Sequence, residues 1–574
     1  MLLQPEFHAQ KMEKATSYIA PAPTSMATQR TPLVPKSPAD ASRRDFVMLM
    51  AGILSFAFIS SLDATIVATL LSAIGSSLQS MQFSSWIGTA YILSRTASTP
   101  LLGRLANILG RRPSILFAAT LFGVATVLCG FAQNIQVHAS RVRNSTNVVA
   151  RAQLVAYRAL AGIGGSGLTV VGSIILSDSV PLKRRGLYQG FMNISWGLGA
   201  AVGAPLGGWL GDTIRWRAAF SCQAPILACG LLLVGLKVQE PPFILNAQRT
   251  TLLSKLKRID YAGTFSLVAA LLTFVVGMNF KTILGQEWDD PKVWGYLLAS
   301  AVLLCTFLVV EFKLAAEPVM ATWMLKLRTP FFVVTFSTLY NTPLYYTAAR
   351  LRTSANAGSH LIPNSVCVAA GSLFAGWYMR HTGRYWKILV LGCLGLVVAN
   401  CILASWSART PEWVLYTTLM PSGFGAAGTM TITLSALIAS VPPNEIPLAT
   451  GLSYLFRTTG EVLGVSLSAA LTQTLLVREL HIRIVSDGAD EIIAKILAST
   501  EYILTLPSML QEKAAASWMY ALHTVFQCQM VVAICVSSLC YLLRSFRCRI
   551  RWTPRSRLRC TMDDLSDERP GHGR

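Results

Sequence analysis

The chain has 574 residues, of which 53% are hydrophobic and only 13% are charged, and its formal net charge is +22. Soluble domains contain about 25% charged residues, so this composition excludes a soluble globular protein and indicates an integral membrane protein. The basic residues lie mostly in short loops between apolar segments, as in the cytoplasmic loops of membrane proteins, so the positive charge does not indicate a nucleic-acid partner.

The amino terminus predicts a disordered cytoplasmic tail over residues 1–45. This segment is rich in Pro, Ala, Ser and Thr and lacks an apolar stripe of helical period. It does not resemble a signal peptide, because no apolar stretch follows its first charges. Ser42–Asp45 then precedes the first apolar segment and anchors it on the cytoplasmic side.

Fourteen apolar segments of about 20 residues, the length that crosses a bilayer, follow this tail. The first six lie near 46–70, 86–106, 113–133, 154–177, 187–210 and 218–236, the next two near 261–280 and 294–312, and the last six near 331–349, 361–379, 387–405, 413–440, 450–476 and 518–543. This grouping predicts an all-α membrane protein. Its parts are an N-terminal six-helix bundle (46–236), a cytoplasmic linker (237–260), two additional transmembrane helices with a loop (261–329), a C-terminal six-helix bundle (330–543) and a basic cytoplasmic tail (544–574).

Lys and Arg predict a cytoplasmic amino terminus. The basic loops around Arg111 and Arg184 then lie on the cytoplasmic side, as do the linker and the basic tail. The connection near 135–152 falls on the opposite side. It contains the sequon Asn144-Ser145-Thr146, which predicts glycosylation at Asn144.

Two charges in the first bundle form a candidate site for proton coupling. Asp63 lies in the first span and Arg158 in the fourth, and ionisable residues inside a membrane point to function by default. A carboxylate in a partly dry cavity takes up a proton more readily than one in water. Asp63 could therefore carry a proton, and the approach or withdrawal of Arg158 would couple this step to conformation. Alternatively, the two side chains form a static pair that holds helices together.

The fifth span carries a row of small residues spaced four apart, with a proline inside it. On a helix, such a row forms a groove that admits a second backbone. The proline is tolerated because neighbouring helices can satisfy the freed carbonyl. The row consists of Ser195, Gly199, Gly203, Gly207 and Gly211, and the proline is Pro205.

Three more charges lie in predicted spans: Arg95, Arg457 and Glu461. Arg457 and Glu461 are four residues apart, so they could simply pair with each other. Alternatively, all three line a substrate cavity, in which Glu461 would bind a cationic group.

Four motifs occur in order at the corresponding spans. They are Leu62–Val67 (LDATIV), Gly103–Arg112 (GRLANILGRR), Arg158–Gly164 (RALAGIG) and Gly199–Gly208 (GAAVGAPLGG). Together they resemble the major facilitator superfamily and, within it, the fourteen-span drug:proton antiporters. The resemblance implies two six-helix bundles plus two additional helices that work by alternating access. It also implies a loop signature made by Gly103, Asn107, Gly110, Arg111 and Arg112, and an antiporter motif made by Gly199, Gly203, Pro205, Gly207 and Gly208.

Four further segments are similar to fungal vacuolar basic amino acid permeases. These are Ser84–Tyr91, Leu339–Tyr345, Met379–Tyr385 and Ser453–Arg457. The similarity implies that Tyr340 and Asn341 lie in the substrate cavity. The sequence departs from the pattern at Asn107, where an acid is usual, at Arg95, at Glu461 and in the long connection 135–152.

The sequence therefore predicts a proton-coupled antiporter that moves basic amino acids from the cytosol into the vacuole. The alternatives are a plasma-membrane pump for drugs or toxins and a nutrient receptor that no longer transports. No nucleophile motif, P-loop or Cys-x-x-Cys pair is present, so we expect neither an enzyme nor a metal site. We expect no cofactor other than the proton gradient. The expected partners are the lipid bilayer, protons and a small-molecule substrate, and the protein is expected to be a monomer.

Overall fold

A computed structural model describes most of the chain between residues 43 and 542. The described residues are 43–77, 81–131, 143–213, 216–238, 240, 261–282, 286–310, 335, 338, 341–342, 344–352, 359–382, 386–407, 409–440, 446–485, 488–498 and 500–542. Within them the secondary structure is helical and contains no strand. Residues 1–42 of the predicted amino-terminal tail lie outside the described residues. The same holds for the predicted tail 544–574 and for most of the linker.

The first nine helices correspond to the first eight predicted spans, because two helices share the sixth span. They are α1 (Arg43–Ser77), α2 (Met81–Ile108), α3 (Arg111–Phe131), α4 (Arg143–Ser179), α5 (Leu182–Thr213), α6 (Ala218–Ser221), α7 (Ala224–Lys237), α8 (Tyr261–Thr282) and α9 (Pro291–Val309).

The rest of the described chain begins with a short π-helix, Tyr345–Ala349. The following helices are α10 (Ile362–Thr382), α11 (Trp386–Ala404), α12 (Glu412–Thr417), α13 (Met420–Ser440), α14 (Ile446–Arg483), α15 (Ala489–Ala498) and α16 (Ser508–Leu542), with a 3₁₀ turn at Thr500–Thr505.

Nine stretches of the described helices are long and apolar enough to cross a membrane. Helix α2 is not among them, because Arg95 and several hydroxyl side chains replace aliphatic residues along it. A helix of this kind is stable at membrane depth only when its polar face is covered by protein or lines a cavity. Its composition therefore places α2 in the interior of the bundle.

Helix packing divides the described chain into two bundles and an additional pair. In the first bundle, α1 packs on α5 and α7, while α2 and α3 pack on α4. In the second, α10 and α11 pack on α13, and α16 packs on α11 and α14. Helices α8 and α9 pack on each other, and α8 also contacts α14. The two bundles meet where α5 contacts α10 and where α2 contacts α14.

The bundles touch at the end of the molecule that carries the basic loops, called here the basic end. A Cβ atom on Gly376 would lie 2.6 Å from the backbone of Gly186, and one on Gly103 would lie 3.0 Å from Gly451. Side chains join the same interface, because Asn193 Nδ2 donates a hydrogen bond of 2.9 Å to Ser372 Oγ. Glycine at these positions allows backbone contact between the bundles, which closes the basic end.

Two predicted boundaries were wrong. Helix α4 begins at Arg143, so 143–152 is helical and is not a loop as predicted for 135–152; the preceding residues 132–142 lie outside the described part. The first helix begins at Arg43, within the segment predicted as tail. In both cases polar residues extend a helix beyond its apolar core, and a hydropathy window measures only that core.

Candidate transport site

A buried ion pair joins the first and fourth helices. Arg158 Nη1 donates to Asp63 Oδ2 at 2.8 Å, and the two side chains are 1% and 0% exposed. Such a pair is stable only while both charges are present, because removing one leaves the other uncompensated at a cost of about 3–5 kcal/mol. The structure thus brings together the two residues predicted for proton coupling.

Tyr91 and Gln223 complete the surroundings of this pair. The guanidinium carbon of Arg158 lies 4.3 Å from the centre of the Tyr91 ring, a cation–π distance. The second carboxylate oxygen of Asp63 accepts from Gln223 Nε2 at 3.4 Å. All four side chains are buried. The pair is therefore held from α2 and from the turn between α6 and α7 as well as from its own helices.

Glycines of α4 bring Arg158 close to α2. A Cβ atom on Gly162 would lie 2.4 Å from the carbonyl oxygen of Tyr91 and 2.0 Å from Ser94 Oγ. One on Gly164 would collide with the backbone of Phe122. Only glycine permits this approach. Because Arg158 is one turn before Gly162 on α4, the close contact of the two helices places its guanidinium against the Tyr91 ring.

The row of small residues on α5 packs on the helix that carries Asp63. Ser195 Oγ donates to the carbonyl of Leu54 at 2.7 Å. A Cβ atom on Gly199 would lie 2.2 Å from Phe58 O, and one on Gly203 would lie 1.9 Å from Thr65 Oγ1. Gly207 continues the contact, whereas a Cβ atom on Gly208 would meet nothing within 4 Å. The interhelical contact therefore includes Ser195, Gly199, Gly203 and Gly207 but not Gly208.

Two adjoining cavities lie between the bundles, next to this pair. One is lined from both bundles and includes Arg95 of α2 and Arg457 of α14. Its other lining residues are Ala57, Thr169, Met192, Asn193, Trp196 and Tyr454, and the second cavity shares Asn193, Tyr454 and Arg457 with it. Tyr91, which contacts Arg158 of the ion pair, is one turn before the cavity-lining Arg95 on α2.

Arg457 and Glu461 do not form an ion pair in this structure. Within the described part of the chain, neither side chain has a partner of opposite charge within 4.0 Å. The Arg457 guanidinium instead lies 5.7 Å from the Trp196 ring and 5.9 Å from the Tyr454 ring. Glu461 is half-buried one turn further along α14 and lines neither of the two cavities. Arg457 thus lines both cavities and Glu461 lines neither.

The loop signature is held by two acids from outside it. Arg111 Nε donates to Asp178 Oδ2 at 2.9 Å. The Glu240 carboxylate accepts from the backbone amides of Arg111 and Arg112 at 2.9 and 2.7 Å. A carboxylate at the first amides of a helix satisfies their unpaired donors and the positive end of the helix dipole. Gly110, at φ 109°, leaves room for Glu240, so these acids stabilise a loop whose usual acid is replaced by Asn107.

Of the other two residues predicted for the cavity, Asn341 is among the described residues. Asn341 is buried but accepts from Thr472 Oγ1 at 3.2 Å, about four turns beyond Arg457 on α14. Its predicted place in the cavity was therefore wrong, because it packs further towards the opposite end. Tyr340 lies outside the described residues. Asn144 lies in the first turn of α4.

The site also includes four residues that were not predicted from the sequence: Tyr91, Gln223, Asn193 and Tyr454. Tyr91 offered one signal, since it is four residues before an intramembrane arginine and shares its helix face. Gln223 offered none, because its partner Asp63 is 160 residues away along the chain.

Comparison with known proteins gives a family match over most of the chain. Residues 53–464 match the model of the Major Facilitator Superfamily. The relative named multidrug resistance protein fnx1, from Schizosaccharomyces pombe, is 36% identical over 492 residues, covering 83% of this chain and 88% of the relative.

Two further relatives carry names that refer to amino acids. The vacuolar membrane amino acid uptake transporter fnx2 of Schizosaccharomyces pombe is 32% identical and covers 82% of this chain and 79% of its own length. Vacuolar basic amino acid transporter 2 of Saccharomyces cerevisiae is 28% identical and covers 74% of this chain and 90% of its own length.

Proposed function

Because this chain belongs to the major facilitator superfamily, we propose that it is a proton-coupled antiporter that moves basic amino acids from the cytosol into the vacuole. Family membership makes it a multi-pass membrane transporter of a small-molecule substrate and not an enzyme. The proton coupling, the substrate, the vacuolar membrane and the monomeric state belong to the proposal.

The buried pair of Asp63 and Arg158 carries the proposal. With the carboxylate ionised, the pair is neutral and joins α1 to α4. Protonation of Asp63 leaves the Arg158 charge without its counterion in a buried site, and this raises the free energy of the present helix arrangement. Proton binding therefore favours a different arrangement, as a coupled carrier requires.

Tyr91 is the residue through which this ion pair acts on the cavity. Its ring contacts the Arg158 guanidinium, and its helix presents Arg95 to the cavity one turn later. A movement of Arg158 away from Asp63 shifts this ring and the face of α2 that includes Arg95. Proton binding and substrate binding then act on the same helix, which is the physical basis proposed for their exchange.

The identity of the substrate rests on chemistry and similarity together. Relatives named for amino acid transport cover most of the chain, and two of them are named for the vacuole. Glu461, one turn from the cavity-lining Arg457, supplies a carboxylate for a substrate cation. A vacuole is acidic, so protons that leave it can drive cationic amino acids in.

A second candidate is efflux of drug-like molecules across the plasma membrane. It is favoured by the similarity to the relative named multidrug resistance protein and by the aromatic side chains of Trp196 and Tyr454 in the cavity wall. Apolar and aromatic walls are common in sites for drug-sized ligands.

Uptake into sealed vacuolar vesicles tests the proposal. Vesicles from cells that express the chain should accumulate labelled lysine and arginine when the lumen is acidic, and an uncoupler should abolish the accumulation. Vesicles without the chain provide the control. Uptake that is insensitive to the uncoupler would contradict proton coupling. No amino acid uptake, combined with proton-dependent export of dyes by intact cells, would favour the second candidate; neither activity would favour a receptor.

A further inference from the structure

The cavity between the bundles contains two arginines without a carboxylate partner. Arg95 comes from the first bundle and Arg457 from the second, and both line one cavity. Arg95 is only 9% exposed, and its Nε has no hydrogen-bond partner among the described residues. No acid of the described chain lies within 4.0 Å of either guanidinium.

The neighbouring groups do not neutralise these charges. Arg457 faces the rings of Trp196 and Tyr454, which attract a cation but carry no negative charge. Both guanidiniums line one cavity, and Glu461 is one turn from Arg457 on α14. The local sum of these three ionised groups is therefore one positive charge, a costly arrangement in a site shielded from water.

Arginine is the side chain best suited to bind a carboxylate in such a place. Its planar guanidinium offers two parallel donors that match the two oxygens of a carboxylate. A ligand carboxylate between Arg95 and Arg457 would satisfy the orphaned donor and offset one of the two guanidinium charges. It would also join the two bundles, because each bundle contributes one arginine.

We infer that Arg95 and Arg457 form a carboxylate subsite, so that every transported substrate must carry a carboxylate group. This inference rests on the proposed function, since it names the part of an amino acid that the cavity binds. Glu461 is four residues beyond Arg457, a rise of about 6 Å along α14. The subsite binds the α-carboxylate, and Glu461, which lines neither cavity, lies one turn beyond it.

The subsite also explains how a cavity of positive charge accepts a basic amino acid. The carboxylate of the ligand offsets the charge of the two guanidiniums. A diamine of the same length has no group for the arginines and places a second positive charge beside them. The structure therefore distinguishes an amino acid from a cationic drug or a polyamine by the carboxylate alone.

Matched pairs of ligands test the subsite. The purified full-length protein in detergent is heated with lysine or cadaverine, arginine or agmatine, and leucine or isoamylamine, and the shift of its thermal unfolding is measured over a concentration series. In each pair the second compound lacks only the carboxylate. We expect each carboxylate-bearing ligand that binds to do so at least about tenfold more tightly than its partner, because a charge-assisted pair is lost.

Variants of the two arginines assign the effect to the subsite. Arg95→Gln and Arg457→Gln should reduce this preference to less than about threefold, whereas Arg457→Lys should keep part of it because the charge remains. Arg217→Gln is the matched control. Arg217 also lies against a tryptophan ring, at 4.4 Å from Trp216, but it lines neither cavity, so its removal should leave the preference unchanged.

The outcomes separate the subsite from the proposed function. If cadaverine and agmatine bind as tightly as lysine and arginine, the carboxylate subsite is overturned while the basic substrate class stands. If lysine does not bind but leucine does, and isoamylamine does not, the subsite stands and the basic substrate class fails. If no carboxylate-bearing ligand shifts the unfolding transition, or if the Gln variants keep the full preference, the subsite is overturned.

Discussion

Two neighbouring regions of this transporter contain buried arginines, and they differ in what neutralises them. Arg158 is paired with Asp63 at 2.8 Å inside one bundle. Arg95 and Arg457 face each other across the two bundles, and no acid of the described chain lies within 4.0 Å of them. The first region is electrically neutral without a ligand, and we propose that proton binding changes it. The second is incomplete, so we propose that a ligand completes it.

A buried charge therefore has to be interpreted together with its partner. Both regions would look alike in a hydropathy plot, because each is an arginine within an apolar segment. A buried arginine with a protein counterion is neutralised within the fold, whereas an uncompensated guanidinium is suited to bind an anion. Tyr91 contacts Arg158 of the first region and is one turn before Arg95 of the second on α2, and we propose that it links the two.

The strongest test of the first region is Asp63→Asn. We expect uptake driven by a pH gradient to fall by about a hundredfold or more, because Asn cannot carry the proton and leaves Arg158 without its counterion. Vesicle uptake and protein level are measured together. The double variant Asp63→Asn with Arg158→Gln removes both charges and should restore the protein level without restoring uptake. Normal gradient-driven uptake by either variant would contradict the role given to this pair.

Gly203→Leu should have the next largest effect. The side chain would overlap Thr65 and displace α1, the helix that carries Asp63, so we expect uptake below about a tenth of the wild-type rate. Gly208→Leu is a matched control on the same helix, because a Cβ atom there meets nothing within 4 Å. Equal uptake by both variants would show that the contact between α1 and α5 does not position the pair.

Glu461→Gln should have the smallest of the three effects and tests the second region. We expect affinity for lysine and arginine to fall about tenfold, with little change for a neutral amino acid, because only the partner of the side-chain cation is lost. Competition for labelled lysine uptake provides the measurement. If the variant instead lowers protein level, and Arg457→Leu combined with Glu461→Leu restores it, then Glu461 serves to balance Arg457 and not the substrate.

The loop signature shows why a single replaced motif residue is not enough to interpret function. Asn107 replaces the acid of the pattern, and this change favours a receptor that has lost transport. In the structure the same loop is held by Asp178 and Glu240, which lie outside the motif. The loss of one carboxylate therefore leaves the loop with two others, and the replacement by Asn107 is no longer an argument against transport.

The sequence was enough to predict the membrane class, the helical fold and the residues that place charge at membrane depth. Each of these depends on local properties: an apolar helix of about 20 residues is stable in lipid wherever it occurs, and a charge within it stands out. The spacing of the small residues on α5 also indicated a close helix contact, because this pattern lies within a single helix.

The pairing of these charges could be found only from the tertiary structure. Asp63 is bound by Arg158 and Gln223, which are 95 and 160 residues away, and Arg95 lines one cavity with Arg457 of the other bundle. Arg457 and Glu461, which are neighbours on one helix face, remain apart. Local spacing allows a pair to form, but packing determines the partner that each side chain reaches, because the energy of a buried charge depends on distances of a few ångströms.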